Sequence, residues 1–233
     1  MTGPATVFDK PTDYIGKSIP RSDASRLLRG QGRYVDDMQL PRMVHAVFLR
    51  SPYAHAKIKS IDISQAIDLQ GVMAIYTGKD IAQHVEPYVG VLSHLPGLRS
   101  PAQYPLAVDV ARWQGEPVAV VICASRALGE DALEYIKVDY EQIPAVTDTL
   151  DAMSSEAPLI HEEYDSNLAW KREVEFGNLE EALAQDDVVV VEKQIKFGRH
   201  TGVTLETRAT VCDYIPGNEQ LIMYYAGQAP HML

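Results

Sequence analysis

The chain has 233 residues, of which 46% are hydrophobic and 23% charged, enough to bury one or two ordinary cores and typical of a folded globular protein rather than a disordered one. Lysine and arginine number 21 against 32 aspartates and glutamates, a formal charge of −11, so a phosphate backbone would meet net repulsion and nucleic-acid binding is excluded as a main role. The longest apolar run, Val118 to Ala124, is far short of the roughly 20 residues that cross a bilayer, and no basic-then-apolar signal pattern opens the chain, which makes the cytoplasm the simplest location.

In chain order, the first dozen residues, with Pro4 and Pro11, show no periodicity and read as an arm that wraps a partner surface or stays mobile. Met43 to Arg50 reads as a buried strand. Ile58 to Ile63 alternates as a second, with Ile58 and Ser60 on one parity and Lys59, Ile61 and Ile63 on the other. Ala66 to Gly71 reads as a short helix stopped by the glycine, and Val72 to Thr77 as a return strand. From Ile81 to Leu106 the chain is broken by Pro87, Gly90, Pro96, Gly97, Pro101 and Pro105, the pattern of a long loop, and a loop of that length is usually functional or interfacial.

Pro117 to Cys123 is the strongest strand, Ser125 is a helix N-cap, and Leu128, Ala132, Tyr135 and Ile136 form an apolar stripe at helical spacing before Val138, Tyr140 and Ile143 close the unit. Strand, capped helix and strand predict a β-α-β crossover inside an α+β domain with mixed pairing. Asp148 to Asn167 is an acidic connector. Asn178 caps a short helix through Leu183, Val188 to Phe197 reads as a strong strand, and Thr210 to Tyr214 and Leu221 to Ala226 follow as strands. With nothing following it, the last strand is expected to leave an unpaired edge.

Several motifs dissolve on inspection. Gly16-Lys17-Ser18 ends like a phosphate loop, but Pro11 stands where its first glycine belongs. Gly30-Gln31-Gly32 opens like a dinucleotide fingerprint, but Val35 replaces the final glycine, so a turn is expected. The seven histidines show no paired helical spacing for zinc. Cys123 and Cys212, the only cysteines, read as small buried hydrophobes. A cluster of iron and sulfide takes about four ligands, so any electron-transfer centre sits on another polypeptide.

Glu206 and Arg208 flank Thr207 on an expected strand, which points them to one face. They read as a charge network at a domain seam, with a partner or cofactor contact as the alternative. His231 after Pro230 reads as a helix cap, the alternative being a cofactor phosphate contact. Gln228, at the end of the last strand, offers two donors and one acceptor, which suits an oxo ligand or a polar cofactor edge; on spacing alone it caps the turn into Pro230.

Several dissimilar stretches, taken together in order, carry a resemblance. They are Gly16 to Ala24, Leu27 to Asp37, Arg50-Ser51-Pro52-Tyr53-Ala54-His55-Ala56, Trp113-Gln114-Gly115-Glu116-Pro117-Val118-Ala119-Val120-Val121, Gly198 to Arg208, and Gln228-Ala229-Pro230-His231. From about Tyr14 to Leu233 the chain resembles the large subunits of the molybdenum hydroxylases, the xanthine dehydrogenase, aldehyde oxidase and carbon monoxide dehydrogenase family, although Thr204 and Thr207 stand where that family usually has prolines.

The resemblance implies an arm and a/b hammerhead domain over residues 1–147, a connector over 148–167 and the start of the molybdopterin-binding domain over 168–233. It also implies hydroxylation of an electrophilic carbon, as in an aldehyde or N-heterocycle, with water as the oxygen source. Gln228 is then the one cofactor-binding residue, hydrogen-bonded to an oxo ligand of molybdenum, with no catalytic residue and no metal ligand in this chain. The glycine-rich segment, the later pterin contacts and the base glutamate are absent from these residues. The implied cofactor is molybdenum-molybdopterin shared with a companion molybdopterin-binding chain, with 2Fe-2S clusters and FAD on an iron-sulfur subunit and an FAD subunit. Three readings follow: a split subunit of such an enzyme, a truncated fragment of a large subunit, and a non-catalytic hammerhead docking module.

Overall fold

The computed structural model describes residues 14–90, 92 and 94–227. Its strands are β1 (His45–Arg50), β2 (Ala56–Asp62), β3 (Val72–Thr77), β4 (Val110–Ala111), β5 (Pro117–Cys123), β6 (Lys137–Gln142), β7 (Thr210–Ile215) and β8 (Gln220–Tyr225). Its α-helices are α1 (Ala24–Leu28), α2 (Gly78–Ile81), α3 (Arg126–Leu133) and α4 (Leu179–Leu183). The chain divides into two units, one of Arg42–Lys193 and one of Met1–Pro41 with Gln194–Leu233. The architecture is α+β, as the sequence predicts.

In the Arg42–Lys193 unit, β5 is the middle of a sheet ordered β1-β5-β3, and β2 is the middle of a second ordered β4-β2-β6; every pairing is antiparallel. Pro117 stands at the first residue of β5, beside a register shift in β1, where its missing N–H breaks no ladder. Val118, Ala119, Val121 and Cys123 are fully buried. Val121 and Cys123 pack with Ala66, Ile75, Ala132 and Ile136, Val118 packs with Ile58 and Ala107, and Leu49, Ile61 and Val138 touch both clusters and join them.

The expected β-α-β crossover is corrected here. The helix α3 does join β5 to β6, but both edges of β5 are already occupied by β1 and β3, so β6 pairs with β2 in the other sheet and no parallel or mixed pairing arises. The helix itself follows the sequence: Ser125 Oγ accepts the Leu128 N–H at 3.4 Å, and Ala132 and Ile136 are buried while Leu128 and Tyr135 stay exposed. It lies so close to the sheet that a Cβ on Gly129 would sit 2.5 Å from both Cys123 Sγ and Val47 Cγ2.

The alternation expected across Ile58 to Ile63 is interrupted by a bulge between Ile58 and Ser60, which moves Lys59 out of register and lets Ile58 and Ile61 face inward despite opposite parity. Ala66 to Gly71 is a series of turns rather than a helix: Ala66 and Ile67 both donate to the Ile63 carbonyl, and Gly71 at φ 88° completes the reversal into β3. The segment is too short, and too committed to reversing the chain, to propagate helical bonds. The long loop holds: between α2 and β4 only Tyr88 and Gln103 form an isolated bridge among the described residues. Asn178 caps α4 through its side chain, accepting from Glu181 N at 3.1 Å.

Val188 to Phe197 is not a strand. The segment is exposed, and among the described residues it belongs to no strand ladder; its β-branched composition favours a strand only where a neighbouring strand exists. In the other unit, Gly30 at φ 68° ends α1, its N–H bonded to the Leu27 carbonyl, which is the turn expected there. β7 and β8 form a hairpin closed by Pro216–Asn218 and by Glu219 at φ 52°. Cys212 in β7 is exposed rather than buried, because among the described residues no layer covers its side of this two-stranded ribbon. Glu206 and Arg208 lie outside any strand, so their shared strand face does not form.

Substituting Gly129 by alanine sets a helix-propensity gain of about 1 kcal/mol against an overpacking cost of roughly 1–3 kcal/mol. With backbone-anchored Val47 and Cys123 on either side, overpacking wins. We expect net destabilisation in urea unfolding; a gain in stability would show that α3 can move off the sheet.

Candidate functional site

Two of the sequence stretches singled out above meet in space. Ser51 N donates to the Glu116 carbonyl at 2.8 Å, Gly115 N donates to the Ser51 carbonyl at 2.8 Å, and Arg50 Nη1 donates to the Gly115 carbonyl at 2.9 Å. The end of β1 and the turn before β5 are thereby clasped through main-chain bonds, with Gly115 at φ 92°. Ser51 also accepts the Tyr53 N–H on its hydroxyl at 3.1 Å, and His55, buried, donates through Nδ1 to the Pro144 carbonyl at 2.8 Å. Tyr53 meets Tyr140 edge-on with ring centres 5.2 Å apart.

Behind this clasp lies a cavity of about 280 Å³, bordered by the end of the long loop and by Arg112, Trp113, Glu116 and His161. The Glu116 carboxylate is buried and accepts the Arg112 N–H. Burial pushes its pKa above the usual glutamate range, against the Arg112 N–H and the Arg112 charge, which pull it down. Arg112 donates through Nε to the Ile160 carbonyl at 3.1 Å and through Nη1 to the Val110 carbonyl at 3.4 Å. His161 Nδ1 is 3.3 Å from Glu163 Oε1, close enough to pair but without hydrogen-bond geometry. Burial first, and then the nearby Arg112 charge, hold this imidazole below its ordinary pKa, which keeps it neutral at pH 7.

Chemically the cavity offers little. The polar groups of Glu116 and Arg112 are engaged with the main chain, so they stitch the turn before β5 to the segment around Ile160 and present no activated nucleophile. That segment is held by Asn167, whose Nδ2 donates to the carbonyls of Ala152 at 3.2 Å and Pro158 at 3.0 Å while its Oδ1 accepts from Ile160 N at 3.0 Å. Sequence reasoning quoted Glu116 only as part of a motif and passed over Arg112 and His161; the one local signal was a glutamate directly before an apolar strand, a place where a carboxylate goes under.

Gln228, expected to bind cofactor, and His231, expected to cap a helix, both lie outside the described residues. The described chain carries β8 up to Tyr225, with Ala226 and Gly227 beyond. Glu206 Oε1 accepts the Val35 N–H at 3.5 Å, a bond within its own unit, and Arg208 is exposed. Among the described residues no group of three or more His, Cys, Asp or Glu side chains is placed to hold a metal ion, and no helix is long and apolar enough to cross a membrane.

Two family patterns match the chain: "Aldehyde oxidase and xanthine dehydrogenase, a/b hammerhead domain" over residues 29–144 and "Molybdopterin cofactor-binding domain" over residues 160–233. The nicotine 6-hydroxylase large subunit of Paenarthrobacter nicotinovorans is 33% identical over 93% of this chain and 26% of its own length. The nicotinate dehydrogenase large molybdopterin subunit of Eubacterium barkeri is 28% identical over 95% of this chain and 49% of its own length. The crystal structure of quinoline 2-oxidoreductase from Pseudomonas putida 86 superposes with a TM-score of 0.84 and 37% identity, covering 93% of this chain and 27% of that one. The chain thus spans between about a quarter and a half of the length of these proteins.

The buried Glu116 generates a pH signature. A carboxyl whose folded pKa is raised contributes most below its unfolded pKa and loses that contribution as pH rises through the folded value. Glu116→Gln keeps a carbonyl acceptor for Arg112 N and removes the titration. Urea unfolding of both proteins from pH 4 to pH 8 is expected to show the wild type losing ground to the variant as pH rises; a constant difference would mean that Glu116 does not titrate differently on folding.

Proposed function

Because the chain belongs to the aldehyde oxidase and xanthine dehydrogenase family of molybdenum hydroxylases, we propose that it supplies the hammerhead module and the first part of the cofactor-binding domain to a multi-subunit enzyme that hydroxylates an electrophilic carbon with oxygen taken from water. The observation that carries the proposal is the pair of matches, 29–144 and 160–233, in one unbroken order. Nicotine, quinoline and nicotinate, named for three of its relatives, are all nitrogen heteroaromatics, which favours that substrate class over an aldehyde.

Among the described residues no group of three or more His, Cys, Asp or Glu side chains is placed to hold a metal ion, and Gln228 would offer a molybdenum-molybdopterin cofactor a neutral amide with donors and an acceptor. When bound, the cofactor supplies the oxidation chemistry and takes up the electrons. In this reading Gln228, carried just past β8, holds a polar edge of the cofactor and thereby orients it. With two cysteines in the given residues, a 2Fe-2S cluster would take its roughly four ligands elsewhere, which supports 2Fe-2S and FAD groups on partner subunits that would accept the electrons.

This chain spans 49% of one molybdopterin-bearing relative and 26% of another, and we infer that the remaining pterin contacts lie in the portion of such proteins not spanned here.

Plasma emission analysis of the native complex is expected to find molybdenum together with a companion chain, and the complex to oxidise N-heteroaromatics. In that complex Gln228→Ala is expected to fold and to lower turnover by ~10²–10³, the cost of one preorganised donor, and Gln228→Glu to lower it further by setting a carboxylate against an electronegative edge. A metal-free stable monomer would favour the non-catalytic docking module, and an unchanged rate in Gln228→Ala would refute the role of the amide.

A further inference from the structure

The cavity behind the clasp borders a cation that the main-chain stitching leaves partly unused. Arg112 is half-buried. Its Nε holds the Ile160 carbonyl at 3.1 Å and its Nη1 reaches the Val110 carbonyl at a longer 3.4 Å, while Nη2 donates to nothing among the described residues. Among those residues the guanidinium forms no ion pair. A charge taken partly out of water without a counter-charge is costly, and an arriving anion recovers that cost. A carboxylate meeting the outer end of a guanidinium takes both terminal nitrogens at once, and the long Nη1 bond is the weak one it would displace.

The rest of the lining narrows the choice of anion. Two acids also border the cavity: Glu116, which accepts the Arg112 N–H, and Asp109, which is exposed and paired with Lys79 Nζ at 3.5 Å. They leave room for one added negative charge and oppose a second, which disfavours phosphate. The indole of Trp113 and the ring of Tyr104 line the same space, 46% and 36% exposed, and neither side chain makes a hydrogen bond among the described residues. His161 adds a ring of which neither nitrogen is hydrogen-bonded there, Nδ1 being buried. Flat aromatic surface beside a guanidinium suits a planar ring that carries its charge at one end. The volume of about 280 Å³ is many times the roughly 30 Å³ of one water and lies just under the range of about 300–1,000 Å³ that holds drug-sized ligands. One ring with a carboxylate fits that space.

We propose that this cavity is a binding site for a single-ring aromatic carboxylate, its ring against Trp113 and Tyr104 and its carboxylate on the outer end of Arg112. The site goes beyond the functional reading above and does not rest on it. A ligand seated there bridges the turn before β5 and the segment around Ile160, adding to the stitching that already joins them.

The test uses the native complex. Fluorine NMR is expected to show 4-fluorobenzoate binding, and the uncharged 4-fluorobenzyl alcohol binding at least about tenfold more weakly, for want of the charge-assisted pair. Excess inorganic phosphate is expected to leave the benzoate bound. Photolabelling with 4-azidobenzoate, followed by peptide mapping, is expected to mark the peptides that carry Tyr104, Trp113 or His161, and benzoate to suppress the label. In Trp113→Ala, which removes a half-exposed side chain that makes no hydrogen bond, labelling of those peptides is expected to fall roughly tenfold, the scale of a lost aromatic contact. Absence of binding, equal binding of the alcohol, displacement by phosphate, label confined to other peptides, or undiminished label in Trp113→Ala would each overturn the proposal. The comparison of acid with alcohol is made on the unaltered protein, so it decides the role of charge whatever the variant does. None of these readouts depends on molybdenum or on turnover.

Discussion

Strand β5 is hydrogen-bonded along both edges and buried along most of its length, and much of the Arg42–Lys193 unit follows from that double constraint. A strand with no free edge cannot accept the one that follows it, so the chain leaving α3 is diverted to β2 and a second sheet arises. The same burial draws α3 down until only a glycine fits over Val47 and Cys123. It also sinks Val118 and Val121 into separate clusters that Leu49, Ile61 and Val138 join into a continuous interior.

The readable parts of the fold were those whose cause is local. Ser125 and Asn178 cap helices with their own side chains, and Pro117 opens its strand where its missing N–H costs nothing. The unreadable parts have causes elsewhere in the chain. The bulge beside Lys59 swaps the parity of β2, so an alternation count points Ile61 the wrong way unless the partner strand is known. Ala66 has helix-favouring composition, but the geometry of reversing from β2 into β3 decides its conformation. Val188 to Phe197 has the composition of a strand but joins no ladder among the described residues, and composition alone does not supply one. Cys212 looks buried only if the ribbon is assumed to have a covering layer.

The candidate site divides along the same line. Gln228 came from the resemblance and from its place after a β-prone segment, and the hairpin leading up to it formed as read. The cluster of buried Glu116 with half-buried Arg112 and His161 was hidden, because its members come from the turn before β5 and from a segment some fifty residues on whose path Asn167 sets. The polar groups of Glu116 and Arg112 are engaged in joining those segments, which fits an interior seam better than a reaction centre.

The clasp between Ser51 and the Gly115–Glu116 turn says something about how this sequence can drift. Because it is made of main-chain bonds, Gln114 is constrained less by its chemistry than by the path of the backbone around it, whereas Gly115, at a φ that side chains seldom adopt, has almost no freedom to change. Variation in such a protein is therefore expected to pass around fixed glycines, leaving short islands of preserved spelling within diverged surroundings. Arg50–Ala56 and Trp113–Val121 are islands of that kind.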